Sequence, residues 1–124
     1  MTGAKSWLHV DEVESEPGVH LLRISGELDL GTIGGLQSGV EQRVTPGARV
    51  VLDLEGLRFC DSTGLGAIIK LHRRLADLGG VLALAAPGQR VLDVLGISGV
   101  DQVIGVYPST AAATRAVRLP APPA

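Results

Sequence analysis

Aromatic side chains are nearly missing from this chain. Trp7, Phe59 and Tyr107 are its only three, 2% of 124 residues. Any core must therefore be aliphatic, and a run of base-stacking platforms for single-stranded nucleic acid is excluded. Cysteine is reduced to Cys60, so neither an intramolecular disulfide nor a cysteine-built zinc site can form. A reducing compartment, the cytoplasm, is the expectation. His9, His20 and His72 are isolated and show no i, i+4 metal-ligand spacing. Charge of one sign is lacking too: 11 Lys and Arg face 13 Asp and Glu, a net charge of −2. No basic stripe exists to neutralise a phosphate backbone, so direct nucleic-acid binding is not expected. The longest apolar stretch, Gly79 to Gly88, contains Pro87 and is too short to span a bilayer. No apolar run of signal-peptide kind follows Met1 to Trp7.

What is present is a regular alternation of strand and helix patterns in a chain sized for one domain. Val19 to Gly26 reads as a strand, and a weaker one lies around Trp7 to Val13. Glu16-Pro17-Gly18 joins them as a hairpin turn. Asp29 is a possible N-cap for a helix in which Ile33, Leu36, Val40 and Val44 recur at helical spacing. Gly34, Gly35 and Gly39 weaken that helix by about 1 kcal/mol each relative to Ala. Ala48 to Leu54 is a nearly continuous aliphatic run, the pattern of a strand covered on both faces. Glu55 to Cys60 then reads as a short loop.

The next helix places Leu65, Ile68, Ile69, His72 and Leu75 on one side, and Lys70, Arg73, Arg74 and Asp77 on the other, a solvated face. Gly79-Gly80 stops it. A strand over Val81 to Ala86, a short helix over Arg90 to Leu95 closed by Gly96, and a strand over Val103 to Val106 follow. Ser109 is an N-cap for a last helix, Thr110 to Arg118, and Leu119 to Ala124 is a frayed tail. The order implies an α/β fold: a mixed, mostly parallel β-sheet with an N-terminal hairpin, covered by about four α-helices, in a single domain over residues 1–118.

The segment that stands out is Asp61-Ser62-Thr63-Gly64-Leu65-Gly66, between the apolar strand and the amphipathic helix. A hydroxyl there is exposed on a turn beside the positive end of a helix. It can be covalently modified without disturbing the core. By position alone Ser62 is equally a helix N-cap. It is not a catalytic serine. Cys60 to Gly64 lacks the first glycine of Gly-x-Ser-x-Gly, and His72, ten residues on, lies about 15 Å away along a helix axis. No Gly-x-x-x-x-Gly-Lys-Ser/Thr loop is present to hold a nucleotide.

Gly26-Glu27-Leu28-Asp29 and Asp61 to Gly66, with the strand end Asp53-Leu54 between them, resemble the bacterial anti-sigma factor antagonists, stand-alone STAS domains. Gly79-Gly80 before a strand, and Leu95-Gly96-Ile97-Ser98-Gly99-Val100, fit the same pattern. The resemblance runs from about Trp7 to Val117 and implies a STAS fold. It implies a non-enzymatic regulator that works by partner switching and carries no cofactor. Such an antagonist binds an anti-sigma factor with serine kinase activity and thereby frees a sigma factor. The kinase phosphorylates the serine that follows the motif's aspartate, here Ser62, and a serine phosphatase reverses this. Asp29 is implied to lie near that serine. The partner surface is expected to comprise Asp29, Asp61, Ser62, Thr63, Gly64, Leu65 and Gly66. Two departures from the family pattern are the glycine-rich first helix and Cys60 in place of a larger apolar residue. The rival within the same fold is a STAS subunit of another assembly, in lipid transport or stress signalling, whose serine only caps a helix.

Smaller readings accompany these. Thr63 is a capping or backbone-bonding hydroxyl before it is a second acceptor. Gly64 and Gly66 permit either close approach of a partner or tight helix packing. Cys60 is a small buried hydrophobe.

Overall fold

The structure is a computed structural model and describes residues 6–118. The expected tail, Leu119 to Ala124, lies outside the described residues. Five strands form one sheet: β1 (Leu8–Val13), β2 (Val19–Leu28), β3 (Arg49–Cys60), β4 (Val81–Ala85) and β5 (Gly105–Tyr107). They lie side by side in chain order. β1 and β2 are antiparallel, and the remaining neighbours are parallel. The hairpin and the mixed sheet are as the sequence predicts.

Four helices connect and cover the strands: α1 (Ile33–Val40), α2 (Ser62–Asp77), α3 (Gln89–Ser98) and α4 (Thr110–Arg118). Crossovers between parallel strands are right-handed, and when successive crossovers step across a sheet in one direction their helices fall on one face. Leu36 and Val40 of α1, Leu65, Ile68, Leu71 and Leu75 of α2, and Val91 and Leu95 of α3 accordingly share one cluster with Leu22, Ile24, Val50 and Leu52 of the strands. Alternate strand residues, Val19, Val51, Ala83 and Ala85, meet Ala113 and Val117 of α4 on the opposite face. Full burial of each Val, Leu or Ile side chain contributes about 1.5–3 kcal/mol, and the core is aliphatic throughout.

Several boundaries depart from the sequence reading; α1, for one, ends at Val40, and Val44 lies beyond the 3-10 turn Glu41–Arg43 that follows it. β2 does not stop at Gly26. It passes through it at φ 107° and runs on to Leu28. A Cβ at Gly26 would sit 2.1 Å from the Trp7 carbonyl oxygen, so only glycine fits there. Glu55 to Cys60 is not a loop but the second half of β3, paired with β2 up to Leu28 opposite Cys60. Irregularities in the β2–β3 register, between Arg23 and Ser25 and between Gly26 and Glu27, absorb the extra residues. Leu54, Leu57 and Cys60 are buried while Glu55, Arg58 and Phe59 are exposed, a mixture that imitates loop composition. α3 passes through Gly96 and ends at Gly99, which has φ 81°. The last strand begins two residues later than expected, because Val100–Gln102 forms a 3-10 turn first.

Helix α2 buries Leu71, which the sequence reading omitted, while Ile69 and His72 are half-buried at the margins. One of the three glycines around α1 has a steric purpose. A Cβ at Gly39 would meet Val10 at 2.7 Å, so the glycine lets α1 lie close on β1.

Candidate functional site

β2 and β3 end together, and the turns that leave them, together with the start of antiparallel β1, form one rim of the molecule. Ends of parallel strands are where α/β folds place their sites. Asp29 and Asp61 emerge here from β2 and β3. With Ser6, Leu30 and Gly31 they line an open hollow of about 490 Å³.

The Asp29 turn is held by its own polar groups. The Gly31 N–H donates to Asp29 Oδ1 at 2.9 Å, and the N–H groups of Thr32 and Ile33 donate to the Asp29 carbonyl, each at 3.0 Å. Thr32 Oγ1 accepts from the Asp29 N–H at 3.0 Å and donates to the Glu27 carbonyl at 2.8 Å. Asp29 is therefore not the N-cap of α1. That position is Thr32, whose hydroxyl is engaged in the turn and makes no capping bond. The Ser6 hydroxyl, followed by the Gly31 N–H and Thr32, holds the Asp29 carboxyl below the ordinary carboxylate range. The hollow thus keeps a negative charge near neutral pH.

The second turn differs. Asp61 is extended, at φ −94° and ψ −175°, and its Oδ1 accepts from the Gly64 N–H at 2.9 Å. Asp61 is the N-cap of α2, satisfying one of the orphan donors of the first turn. Its own N–H donates to the Leu28 carbonyl at 3.2 Å, tying the turn to β2. Ser62 is consequently the first helical residue rather than the cap. It is exposed, and among the described residues its hydroxyl has no hydrogen-bond partner. A serine that is neither buried nor capping can change its chemistry without loosening the helix.

The other expected site residues divide into two groups. Thr63 is half-buried and Gly66 exposed, on the same first turns as Ser62. Apart from its chain neighbours and the backbone of its own helix, no heavy atom lies within 4 Å of where a Gly66 Cβ would stand. Gly64 and Leu65 are buried and face the sheet. A Gly64 Cβ would stand 2.6 Å from the Leu28 carbonyl oxygen and 2.9 Å from Cys60 Sγ. Glycine here lets the first turn of α2 sit on the ends of β2 and β3. These two residues support Ser62 from beneath and present little to a partner. Cys60 is buried below the turn. Burial, and then the charge of Asp61, push its thiol up to about 12, which leaves it a neutral hydrophobe.

Two surface features next to this rim went unread in the sequence. Leu30 is 73% exposed at the edge of the hollow. Trp7 and Phe59, two of the three aromatics, are also exposed. Arg58 stacks 5.5 Å from the Trp7 ring centroid while bonding Glu27 at 2.6 Å. The signal for Leu30 was a large apolar residue between Asp and Gly in a turn. Among the described residues no group of three or more His, Cys, Asp or Glu is placed to hold a metal ion, and no helix is long and apolar enough to cross a membrane.

Residues 12–113 match the family model for the STAS domain. The chain is 31% identical over 98 residues to an anti-sigma F factor antagonist of Paenibacillus polymyxa, covering 77% of this chain and 84% of that one. It is 25% identical over 99 residues to the anti-sigma-B factor antagonist of Bacillus subtilis (strain 168), covering 80% and 90%. The crystal structure of an anti-sigma factor antagonist from Mycobacterium paratuberculosis superposes with a TM-score of 0.78 at 26% identity, covering 93% of this chain and 96% of that one.

Proposed function

This chain belongs to the STAS domain family, and on that premise we propose that it is an anti-sigma factor antagonist switched by phosphorylation of Ser62. In its unmodified form it binds an anti-sigma factor and releases the sigma factor that protein held. The anti-sigma factor is also the kinase. The Ser62 hydroxyl oxygen attacks the γ-phosphorus of ATP, the bond to the β-phosphate oxygen breaks, and ADP leaves. The serine proton passes to a base of the kinase. A serine phosphatase hydrolyses the phosphoester and resets the switch. The setting is the cytoplasm, where sigma factors meet RNA polymerase.

The observation that carries this reading is the division of labour at the start of α2. Asp61 caps the helix, so Ser62 is exposed and free to be modified. Phosphate adds about −1.5 to −2 charges. The domain tolerates them because the N-terminal end of a helix favours negative charge. A partner surface does not. One shaped for a small neutral hydroxyl must desolvate a dianion next to Asp61, whose carboxylate lines a negative hollow with Asp29. A loss of about 3 kcal/mol in binding is roughly a hundredfold in affinity, enough to release the partner. Thr63, half-buried, is a weaker acceptor on the same turn.

The test is phosphorylation by the cognate anti-sigma kinase with ATP, read by intact mass and peptide mapping. One phosphate on Ser62 is expected, with none on Ser62→Ala and an unchanged result on Thr63→Ala. Equal labelling of Ser62→Ala removes the assignment. So does the lack of any kinase partner alongside stable capture of a transport or stress-signalling assembly, which returns the rival reading.

A further inference from the structure

Helix α4 packs over Val19 and Val51, near the starts of β2 and β3, and over Ala83 and Ala85 of β4. β2 and β3 run on past them to Leu28 and Cys60. Leu28 and Cys60 point into the core beneath α1, α2 and α3. Their strand neighbours Glu27 and Phe59, opposite each other in the register, therefore point to the α4 side of the sheet. The register steps from Gly26 opposite Leu57 to Glu27 opposite Phe59 and skips Arg58. That extra residue is a bulge, a device that re-aims side chains, and it turns Arg58 and Phe59 outward together. Trp7 joins them, because its carbonyl accepts from the Glu27 N–H at 2.9 Å. Arg58 is held between the Trp7 ring, 5.5 Å from its centroid, and Glu27, at 2.6 Å. His9 stands edge-on to the same ring, with centroids 6.4 Å apart. Trp7 is still 49% exposed and Phe59 41%, and neither belongs to either core cluster. The fold thus fixes two of its three aromatics in solvent without using them for packing.

We propose that Trp7 and Phe59 are the apolar anchor for the anti-sigma factor that takes Ser62, an inference that rests on the function proposed above. Continuity selects that occupant. Phe59 is three residues from Ser62, no more than about 10 Å of chain. Ser6, next to Trp7, lines the hollow with Asp29 and Asp61. Area selects it as well. At these exposures the two rings present roughly 200 Å², against about 800 Å² per partner in a stable interface. They are too small to hold a separate protein or a second copy, and serve only as part of the larger surface around Ser62. The chemistry follows from the ion pair. Glu27 cancels the charge of Arg58, so the rings meet an apolar patch of the anti-sigma factor beside the cleft that reads the serine. Aromatic and arginine side chains dominate the energetics of such contacts. Held by Arg58 and His9, Trp7 has little freedom left to lose on binding. The anchor supplies affinity, and Ser62 supplies the switch.

The experiment uses the single tryptophan. 5-Fluorotryptophan labels the full chain at Trp7 alone, and its fluorine NMR signal is followed as the unlabelled cognate anti-sigma factor is added with ADP, so that no phosphate is transferred. A saturable shift is expected. Trp7→Thr and Phe59→Thr remove a ring and keep strand propensity. Each lowers affinity by about tenfold or more in calorimetry, and the loss falls on KM rather than kcat for phosphorylation of Ser62. Leu92→Ala, at a similarly exposed residue on α3, leaves affinity within about twofold. Urea unfolding checks that the variants are folded, and the fluorine signal tests the wild-type chain whether or not they are. A signal that stays in place at saturating anti-sigma factor, one that moves with the concentration of this chain alone, or affinities of both folded Thr variants within about twofold of wild type overturns the anchor and leaves the phosphorylation of Ser62 standing. Failure of the wild-type chain to bind the anti-sigma factor at all overturns the function proposed above, and the anchor with it.

Discussion

Two turns at the same end of the sheet lead from a parallel strand into a helix, and they use their hydroxyls in opposite ways. In the turn after β2, the Thr32 hydroxyl is buried and bonded on both sides, to the Asp29 N–H and the Glu27 carbonyl. In the turn after β3, the cap is the carboxylate of Asp61, and Ser62 is left in solvent. Each turn carries an aspartate at the strand end, but Asp29 folds back on its own loop while Asp61 holds the first turn of its helix. The difference teaches how a fold exposes a modifiable residue. Structural duty goes to the neighbour, and the residue itself is relieved of it. A phosphate on Thr32 would need the turn to open, whereas a phosphate on Ser62 meets a helix end that favours it.

Substitutions in the two turns can break this comparison. The largest effect is expected below the second turn. Gly64→Ala places a Cβ 2.6 Å from the Leu28 carbonyl oxygen, and overpacking against backbone should cost about 3 kcal/mol in urea unfolding. Thr32→Val keeps the shape and removes the hydroxyl, leaving the Asp29 N–H and Glu27 carbonyl unpaired at a cost of about 2 kcal/mol by the same measurement. Asp61→Ala deletes the cap and should cost about 1 kcal/mol, most of it restored by Asp61→Asn. Ser62→Ala should change stability by less than about 0.5 kcal/mol, and Ser62→Asp should leave unfolding cooperative. A loss at Ser62→Ala as large as at Thr32→Val would mean that both hydroxyls are structural, and the contrast would collapse.

The fold was legible where the chain is buried on both sides. Ala48 to Leu54 and Val81 to Ala86 announced themselves as largely aliphatic runs, and the alternation of strand and helix pointed to a mostly parallel sheet. The second half of β3 was not legible. Its outward residues, Glu55, Arg58 and Phe59, lie exposed, and Gly56 adds a loop signal. That glycine is there because a Cβ would come within 2.8 Å of the Ser25 Cβ, a contact between strands that local sequence does not encode. At the site, the motif around Ser62 was visible but its wiring was not. A lone sequence does not say whether Asp61 or Ser62 caps the helix, nor that Thr32 rather than Asp29 stands at the start of α1. A small groove between α1 and α2, lined by Leu36, Ala67, Lys70, Leu71 and Arg74, was hidden for a related reason. Lys70 and Arg74 fall on the polar side of α2 by periodicity, and only the placement of α1 beside them turns that side into the wall of a slot.

The central claim is that charge at Ser62 alone decides partner binding. Its most direct test is the affinity of the unphosphorylated and Ser62-phosphorylated proteins for the same anti-sigma factor, measured by calorimetry at physiological salt. The account predicts a loss of roughly a hundredfold on phosphorylation, with the two forms equally folded. Equal affinities for two folded forms would contradict it.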